Sequence, residues 1–228
     1  MNVRIGLPVL FLALSTFLSA QDGTVRGKVN VLYRTKGEAS NADTVVWLTN
    51  VRTKETVSPG PTVRLLQKDK RFKPHVLVVP VGTAIEFPNQ DPFFHDVFSI
   101  YHGKPFDLGL YESGAVRKVR FTQVGVSYIF CNIHPDMSAE VIAVATPHFA
   151  LTARDGSFQI PNVPAGVYRL EIWHELAAQT ELDSLRREVE ITAGDNALDT
   201  MTIHASAAHD EHKNKYGEVY TPDKTTKY

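Results

Sequence analysis

Short runs of alternating polar and apolar residues, separated by proline and glycine, make up most of this sequence. In residues 25–31, apolar or small residues alternate with arginine, lysine and asparagine, which is the pattern of a half-buried β-strand. Comparable runs occur at residues 44–48, 62–66, 75–81, 83–87, 97–101, 116–121, 126–130, 139–145, 158–160, 168–172, 187–192 and 198–204. Helical periodicity longer than about two turns is found only in residues 175–185. With so little helix to cover them, these strands must pack as sheets, so we predict an all-β fold of β-sandwiches.

Two changes in composition indicate domain boundaries. Residues 51–61 are polar and end in Pro59-Gly60-Pro61, a strong break in regular structure, and the pattern changes again after Pro147. We therefore place one domain at residues 61–146 and treat its flanks, residues 22–58 and 147–204, separately. From residue 205 the chain is polar and charged without an apolar repeat, so we expect a disordered tail over residues 205–228.

Residues 1–20 have the features of an export signal. Arg4 supplies a positive charge, residues 7–18 are apolar, and Ser19-Ala20 provide small residues before an expected cleavage ahead of Gln21. A retained membrane anchor is the alternative, but the apolar run is short for a bilayer and no second run follows. We expect a periplasmic or otherwise extracytoplasmic protein without stable membrane insertion.

Charge and motifs argue against several function classes. Removing residues 1–20 takes away Arg4 and no acidic residue, so 24 Lys and Arg become 23 against 25 Asp and Glu, a formal net charge of −2. This near balance gives no electrostatic reason to bind nucleic acid or an anionic membrane surface. The sequence also lacks a Gly-x-Ser-x-Gly elbow, a phosphate-binding glycine loop, a Cys-x-x-Cys-His haem attachment and a His-Glu-x-x-His zinc pair. We expect a protein that is not an enzyme.

Cys131, the only cysteine, lies three residues before His134 and six before Met137. It has no partner for an intramolecular disulfide, and an unpaired thiol in an exported protein indicates either metal ligation or an intermolecular disulfide. Thiolate and imidazole bind copper strongly, and a thioether can occupy a longer axial position. Cysteine and methionine also serve as ordinary core residues, but the three side chains together favour a copper site.

A further ligand has to come from a distant strand, and His95 is the best candidate. His75 lies inside a strand remote from the Cys131 loop, and His102 follows the strand that comes after His95. We therefore predict one type 1 copper ion bound by His95, Cys131, His134 and Met137.

Residues 61 to about 146 resemble the cupredoxin family, in particular its amicyanin- and plastocyanin-like members. The matching text is FKPHVLVVPVGTAIEFPNQD at residues 72–91, the segment 95–97, and FCNIHPDM at residues 130–137. The short ligand loop, with Pro135 after the histidine, is similar to that of amicyanin. The resemblance implies a Greek-key β-sandwich with a blue copper site near one end, used for one-electron transfer without substrate chemistry.

The resemblance also implies how the site is used. His134 would lie near the surface, where electrons enter, within an apolar rim formed by Pro135, Met137 and either Phe93 or Phe94. A redox protein such as a c-type cytochrome or a periplasmic dehydrogenase is the implied partner. Because the net charge is small, we expect a transient contact of small area, made by a monomer.

Residues around the ligands depart from the family at one position. The family commonly has asparagine directly after the first histidine ligand, whereas this chain has Asp96. A carboxylate beside thiolate-bound copper would stabilise the oxidised form, unless it is protonated or paired elsewhere. Asn89 and Pro135 are further candidates for contacts that support the ligands.

The flanking segments resemble a second family. The text of residues 23–29 and 45–48 looks like the opening of a carboxypeptidase-regulatory-like (transthyretin-like) module, and DGSFQIPNVPAGVYRL at residues 155–170 looks like its second half. The copper domain would then be inserted into one discontinuous β-sandwich, which is feasible because domain termini often lie close together. A cupredoxin extended at its N-terminus, followed by a separate C-terminal domain, is the alternative.

We expect an electron-carrying function from these observations. Copper storage or delivery is a second possibility. A metal-free β-sandwich that serves in binding or adhesion is the third, since a fold alone does not fix a function.

Overall fold

The computed structural model describes residues 22–33, 40–100, 102–205 and 212–220. The predicted export signal, residues 1–20, lies outside these segments. The described chain is almost entirely β-structure, with one short helix. Its elements are β1 (Gly23–Tyr33), β2 (Val45–Asn50), β3 (Val63–Arg64), β4 (Leu66–Gln67), β5 (Phe72–Lys73), β6 (Val76–Pro80), β7 (Ala84–Pro88), β8 (His95–Ser99), β9 (Phe106–Tyr111), β10 (Val116–Arg120), β11 (Gly125–Cys131), β12 (Ser138–Val144), β13 (Phe149–Leu151), β14 (Ser157–Val163), β15 (Gly166–Trp173), α1 (Gln179–Leu185), β16 (Arg187–Ile191), β17 (Gly194–Ala197) and β18 (Met201–Ala205).

The middle of the chain forms a sandwich around its own core. A five-stranded sheet in the order β6-β12-β11-β8-β9 faces a three-stranded sheet in the order β10-β7-β3. β11 and β12 pair antiparallel with Ile129 opposite Ala139, and alternate side chains of a strand point to opposite faces. One face of this sheet therefore carries Ile129, Cys131, Ala139 and Val141. This face packs in the same buried cluster as Phe87 of the other sheet.

The flanks form a second β unit. One sheet has the order β14-β1-β17, with β18 also pairing with β1, and the other has the order β13-β2-β15-β16. Val25 and Leu48, which precede the middle sandwich, share one core with Ile160, Leu170 and Ile203, which follow it. The predicted fold class, all-β with a sandwich and a second β module, is confirmed. The shared core favours the discontinuous arrangement, and the boundaries 22–58, 61–146 and 147–204 stay a prediction.

The two units pack against each other. Val76, Ile142 and Val144 of the middle sandwich point into the second core. Beside them, His75 Nε2 lies 2.8 Å from Glu175 Oε2 and 3.3 Å from Glu140 Oε2. The hydrogen bond to Glu175 is the main reason why the pKa of His75 is raised from 6.5 to about 9. A protonated His75 thus connects the start of β6 to the chain after β15.

Two sequence-based expectations need correction. The helix expected within residues 175–185 begins only at Gln179, and Ala178 provides no side-chain cap for it. Disorder over the whole of 205–228 is also wrong for residues 212–220, because Lys215 of this segment binds Asp96 and Asp107 through ion pairs. Some of the charged residues that indicated a solvated tail thus form tertiary ion pairs. No helix within the described segments has the length and apolar character needed to cross a membrane.

Replacing His75 with glutamine should lower the free energy of unfolding in a pH-dependent way. The pKa in the folded protein is about 9 against a usual 6.5, so the stabilisation by protonated His75 is complete below pH 6.5 and is lost as the pH rises through about 9. Chemical denaturation of the copper-free protein at both ends of this range measures the difference.

The matched control is Glu175→Gln, which keeps the imidazole and removes the main cause of the pKa shift. This variant should lose most of the same pH-dependent stability. A stability difference between wild type and His75→Gln that is equal at both pH extremes would contradict the role assigned to the ion pair.

Candidate metal centre

The pairing of β8 with β11 brings His95 and Cys131 together. Cys131 lies opposite Val97 in this antiparallel pair, and His95 lies two residues before Val97 on the same face of β8. Both His95 and Cys131 are fully buried. Residues that are 36 positions apart in the sequence thus point into the same end of the sandwich core.

The loop between β11 and β12 supplies the other two predicted ligands. The Cys131 N–H donates to Met137 O at 3.2 Å, and the Met137 N–H donates to His134 O at 3.0 Å. These two bonds close a tight turn. β12 begins directly after it, at Ser138. Met137 is only 1% exposed and joins the same buried cluster as Cys131, whereas His134 is half-buried.

Three donor atoms form a nearly regular triangle. Cys131 Sγ lies 3.6 Å from His95 Nδ1 and 3.4 Å from His134 Nδ1, and the two Nδ1 atoms are 3.2 Å apart. Metal bonds of about 2.0–2.1 Å to imidazole and about 2.3 Å to thiolate place three such ligands roughly 3.3–3.8 Å apart at trigonal or tetrahedral angles. The observed triangle therefore fits one metal ion, and a thiolate with two imidazoles suits copper.

The protonation states also suit a metal. Burial, followed by the neighbouring His95 and Lys70, lowers the pKa of His134 to about 4. Burial likewise lowers the pKa of His95, although Asp91 opposes the shift. Both imidazoles are therefore neutral at neutral pH, with lone pairs available for coordination. Burial raises the pKa of the Cys131 thiol, so metal binding has to release its proton.

Asp91 is a supporting residue that the sequence analysis missed. Its Oδ2 lies 2.9 Å from His95 Nε2, the ring nitrogen that faces away from Cys131. The carboxylate also accepts hydrogen bonds from the N–H groups of Asp69 at 2.7 Å and Lys70 at 3.1 Å. Burial opposes ionisation, but the bonds from His95 and these N–H groups hold the pKa of Asp91 below its usual value. The only sequence signal was a carboxylate four residues before the histidine.

The three residues predicted to support the ligands, Asn89, Asp96 and Pro135, differ in burial and in their contacts. Asn89 is 1% exposed; its Nδ2 donates to Phe93 O at 2.7 Å and its Oδ1 accepts from the Asp91 N–H at 3.0 Å. Asp96 connects the two ligand segments, because Asn132 donates its N–H to Asp96 O at 2.8 Å and its Nδ2 to Asp96 Oδ2 at 3.1 Å. Pro135 lies exposed in the loop. Their functional roles stay predictions.

Of the three histidines considered for the strand ligand, the structure places His95 at the centre. Within the described segments, two groups of at least three side chains could hold a metal ion: His95 with Cys131 and His134, and His75 with Glu140 and Glu175. His75 therefore belongs to the junction between the two units. The first group contains the thiolate that favours copper.

Aromatic and apolar residues surround the half-buried ligand. The Phe93 ring centroid lies 5.4 Å from that of His95 and 5.3 Å from that of His134, so Phe93 packs against both imidazoles. Phe94 is 51% exposed and Ile133 is 45% exposed. Of the two aromatic residues proposed for the rim, Phe94 is the one that faces solvent.

Comparisons with known proteins give a limited result. No family model matches the sequence, and no curated protein matches it. Among solved structures, the chain is similar to a copper-containing nitrite reductase from Thermus scotoductus SA-01, with 31% identity, a TM-score of 0.35, and coverage of 38% of this chain and 23% of the reductase. A purple cupredoxin from Nitrosopumilus maritimus has 23% identity, a TM-score of 0.33, and coverage of 36% of this chain and 99% of its own.

Amicyanin from Paracoccus versutus is similar at 18% identity with a TM-score of 0.33, over 42% of this chain and 97% of amicyanin. The matches span less than half of this chain, and the first spans about a quarter of the reductase, with coverage of 23%. The assignment of the centre therefore depends on its own geometry.

Replacing Asp91 with asparagine should weaken copper binding by about 10–100-fold, the usual effect of losing a group that orients a ligating histidine. The amide would still fill the space but would no longer offer a charged acceptor to His95 Nε2. Titration of copper against a competing chelator measures the loss.

Asp69→Asn is the matched control, because it makes the same charge change in the loop that holds Asp91. The Asp69 carboxylate pairs with Lys73 at 2.9 Å, and asparagine tolerates the φ of 59° at this position. Equal losses in both variants would contradict a specific role for Asp91.

Proposed function

We propose that this protein is an exported blue copper protein that carries single electrons between redox partners. The observation that carries the proposal is the triangle formed by Cys131 Sγ and the Nδ1 atoms of His95 and His134, with edges of 3.6, 3.4 and 3.2 Å. Met137, buried in the same cluster as Cys131, would complete the set of residues that hold the copper. Copper held by these residues would supply the exchange of one electron at a time between two oxidation states.

The chain contributes a rigid frame for these ligands. His95 and Cys131 lie at adjoining strand ends, and the turn through His134 and Met137 is closed by backbone hydrogen bonds. Asp91 holds the His95 ring through its second nitrogen. Donors fixed in this way keep the same arrangement in both oxidation states, which keeps the reorganisation on electron transfer small.

We propose electron carriage rather than catalysis because the centre is enclosed. His95 and Cys131 are 0% exposed and Met137 is 1% exposed, so only the half-buried His134 approaches the surface. This arrangement favours passage of an electron through an imidazole edge. A reaction on a bound substrate would need an open coordination position.

The predicted signal in residues 1–20 supports export to the periplasm or another extracytoplasmic space. Cys131 is a free, buried thiol, and a ligand role explains its presence in an oxidising compartment. For the flanks we propose one discontinuous carboxypeptidase-regulatory-like module around a cupredoxin-type domain. The core shared by residues on both sides of the middle sandwich supports this arrangement.

A redox protein, such as a c-type cytochrome or a periplasmic dehydrogenase, is the proposed partner of a monomeric carrier. Phe94, directly before His95, is 51% exposed, and Ile133, directly before the half-buried His134, is 45% exposed. They form a small apolar surface of the kind used in transient electron-transfer contacts of low area.

Adding one equivalent of Cu(II) to the mature protein should produce an intense visible thiolate-to-copper absorption band. Cys131→Ser should abolish the band, because a hydroxyl does not provide the thiolate ligand. Met137→Leu is the control: it preserves the packing volume and all three equatorial ligands, so the strong band should remain.

A colourless protein, or only the pale spectrum of histidine-bound copper, would contradict the type 1 site and favour a metal-free binding module. A strong band together with rapid loss of copper to chelators and slow electron exchange would favour storage or delivery. Rapid, reversible electron exchange with retained copper supports the proposed function.

Replacing Phe94 with serine should slow electron exchange with a c-type cytochrome by up to about tenfold, as expected when an apolar contact residue is truncated. The reduction potential should change little, because Phe94 is exposed. Val124→Ser is the control, since Val124 is 58% exposed and precedes β11 at the end opposite Cys131. Stopped-flow kinetics measure both rates, and equal effects would contradict docking at the Phe94 surface.

A further inference from the structure

Residues 212–220 lie across the strands that carry the candidate centre. Lys215 Nζ lies 3.0 Å from Asp96 Oδ2 and 3.0 Å from Asp107 Oδ2. The Lys215 N–H also donates to Asn132 Oδ1 at 3.1 Å. The side chains of Lys215 and Asp96 are only 13% and 8% exposed. The ion pair between them is therefore more shielded from water than an ordinary surface pair.

Two further contacts attach this segment on either side of Lys215. The Tyr220 hydroxyl donates to Cys131 O at 3.1 Å. The His212 ring stacks on Phe130 with centroids 4.0 Å apart and an interplanar angle of 13°. The segment therefore contacts the residue before Cys131, Cys131 itself and the residue after it.

Asp96 directly follows His95, and it is bonded to the loop that carries Cys131. The Asn132 N–H donates to Asp96 O at 2.8 Å, and Asn132 Nδ2 donates to Asp96 Oδ2 at 3.1 Å. Asp96 is only 6% exposed. Water screens a charge poorly in such a position, so an unpaired carboxylate would favour the more positive, oxidised copper.

We propose that the 212–220 segment raises the reduction potential of the centre, because Lys215 neutralises Asp96. This inference rests on the proposed function and adds a control element to it. With the segment in place, the Lys215 cation offsets the charge of Asp96, and the reduced state is less disfavoured. When the segment leaves the surface, Asp96 stays behind without its cation and the potential falls.

Lys215→Met in the full mature chain tests the proposal. A redox titration of the copper absorption band should give a lower midpoint potential than in wild type, so the ratio of reduced to oxidised copper at the wild-type midpoint should fall several-fold. Lys213→Met is the matched control, because Lys213 is exposed in the same segment and the substitution removes the same charge. This control should leave the midpoint close to that of wild type.

A double-mutant cycle tests whether Lys215 acts on the potential through Asp96. In an Asp96→Asn background, Lys215→Met should shift the midpoint much less than it does in wild type. Equal shifts in both backgrounds, or equal shifts for Lys215→Met and Lys213→Met, would overturn the proposal.

A copper-independent measurement separates this proposal from the proposed function. In copper-free protein, hydrogen exchange in residues 212–220 should be faster in Lys215→Met than in Lys213→Met, because the ion pairs to Asp96 and Asp107 are lost. Unchanged exchange would overturn the docking of the segment. A wild-type protein without the thiolate-to-copper band would overturn electron transfer, even where the exchange result confirms the docking.

Discussion

The register between β8 and β11 is the constraint on which the candidate centre depends. It places Cys131 opposite Val97, and therefore puts His95 and Cys131 on one face of the sheet. A slip by one residue would turn every side chain of a strand to the other face. The core that includes Ile129 and Val97 resists such a slip, so apolar packing holds the two ligands in position. The chemistry of the site is in this sense a consequence of how the sandwich core is packed.

A packed core does not by itself accept two imidazoles. Burial lowers the pKa of both His95 and His134, so each ring enters as the neutral form, and its second nitrogen needs a partner or water. Asp91 meets that need for His95 and is itself held by Asn89 and by two backbone N–H groups. The ionised carboxylate is therefore stabilised by a chain of polar contacts. This network explains how a charged group can lie directly behind a buried ligand without opening the core to water.

The sequence predicted the strands and ligands whose evidence is local. Period-two alternation identified β1 and β15, and the Cys131-x2-His134-x2-Met137 spacing indicated the loop whose Cys131 and His134 lie beside His95. β9 and β17 were not predicted, because neither has a clear pattern of its own: β9 is defined by its pairing with the preceding strand β8, and β17 by its pairing with β1 at the other end of the chain. Asp91 was missed for the same reason: its role depends on a loop closure that brings the 69–70 backbone to it. Chemistry that depends on residue type was readable, whereas support that depends on tertiary contact was not.

The C-terminal segment shows why composition alone misjudges charged residues. A polar segment without apolar periodicity is expected to stay solvated, since it cannot bury enough apolar surface to offset the loss of chain entropy. Lys215 is ordered in a different way: it forms an ion pair with Asp96, 119 residues earlier, and Asp96 is only 6% exposed in the folded protein. Leaving a buried carboxylate unpaired is far more costly than ordering one lysine. The need for a counter-charge therefore arises beside the candidate centre and is met by Lys215 of the C-terminal segment. Neither segment shows this relation in its own sequence. Asp96, directly after His95, and Lys215, near the C-terminus, are thus two parts of one electrostatic arrangement.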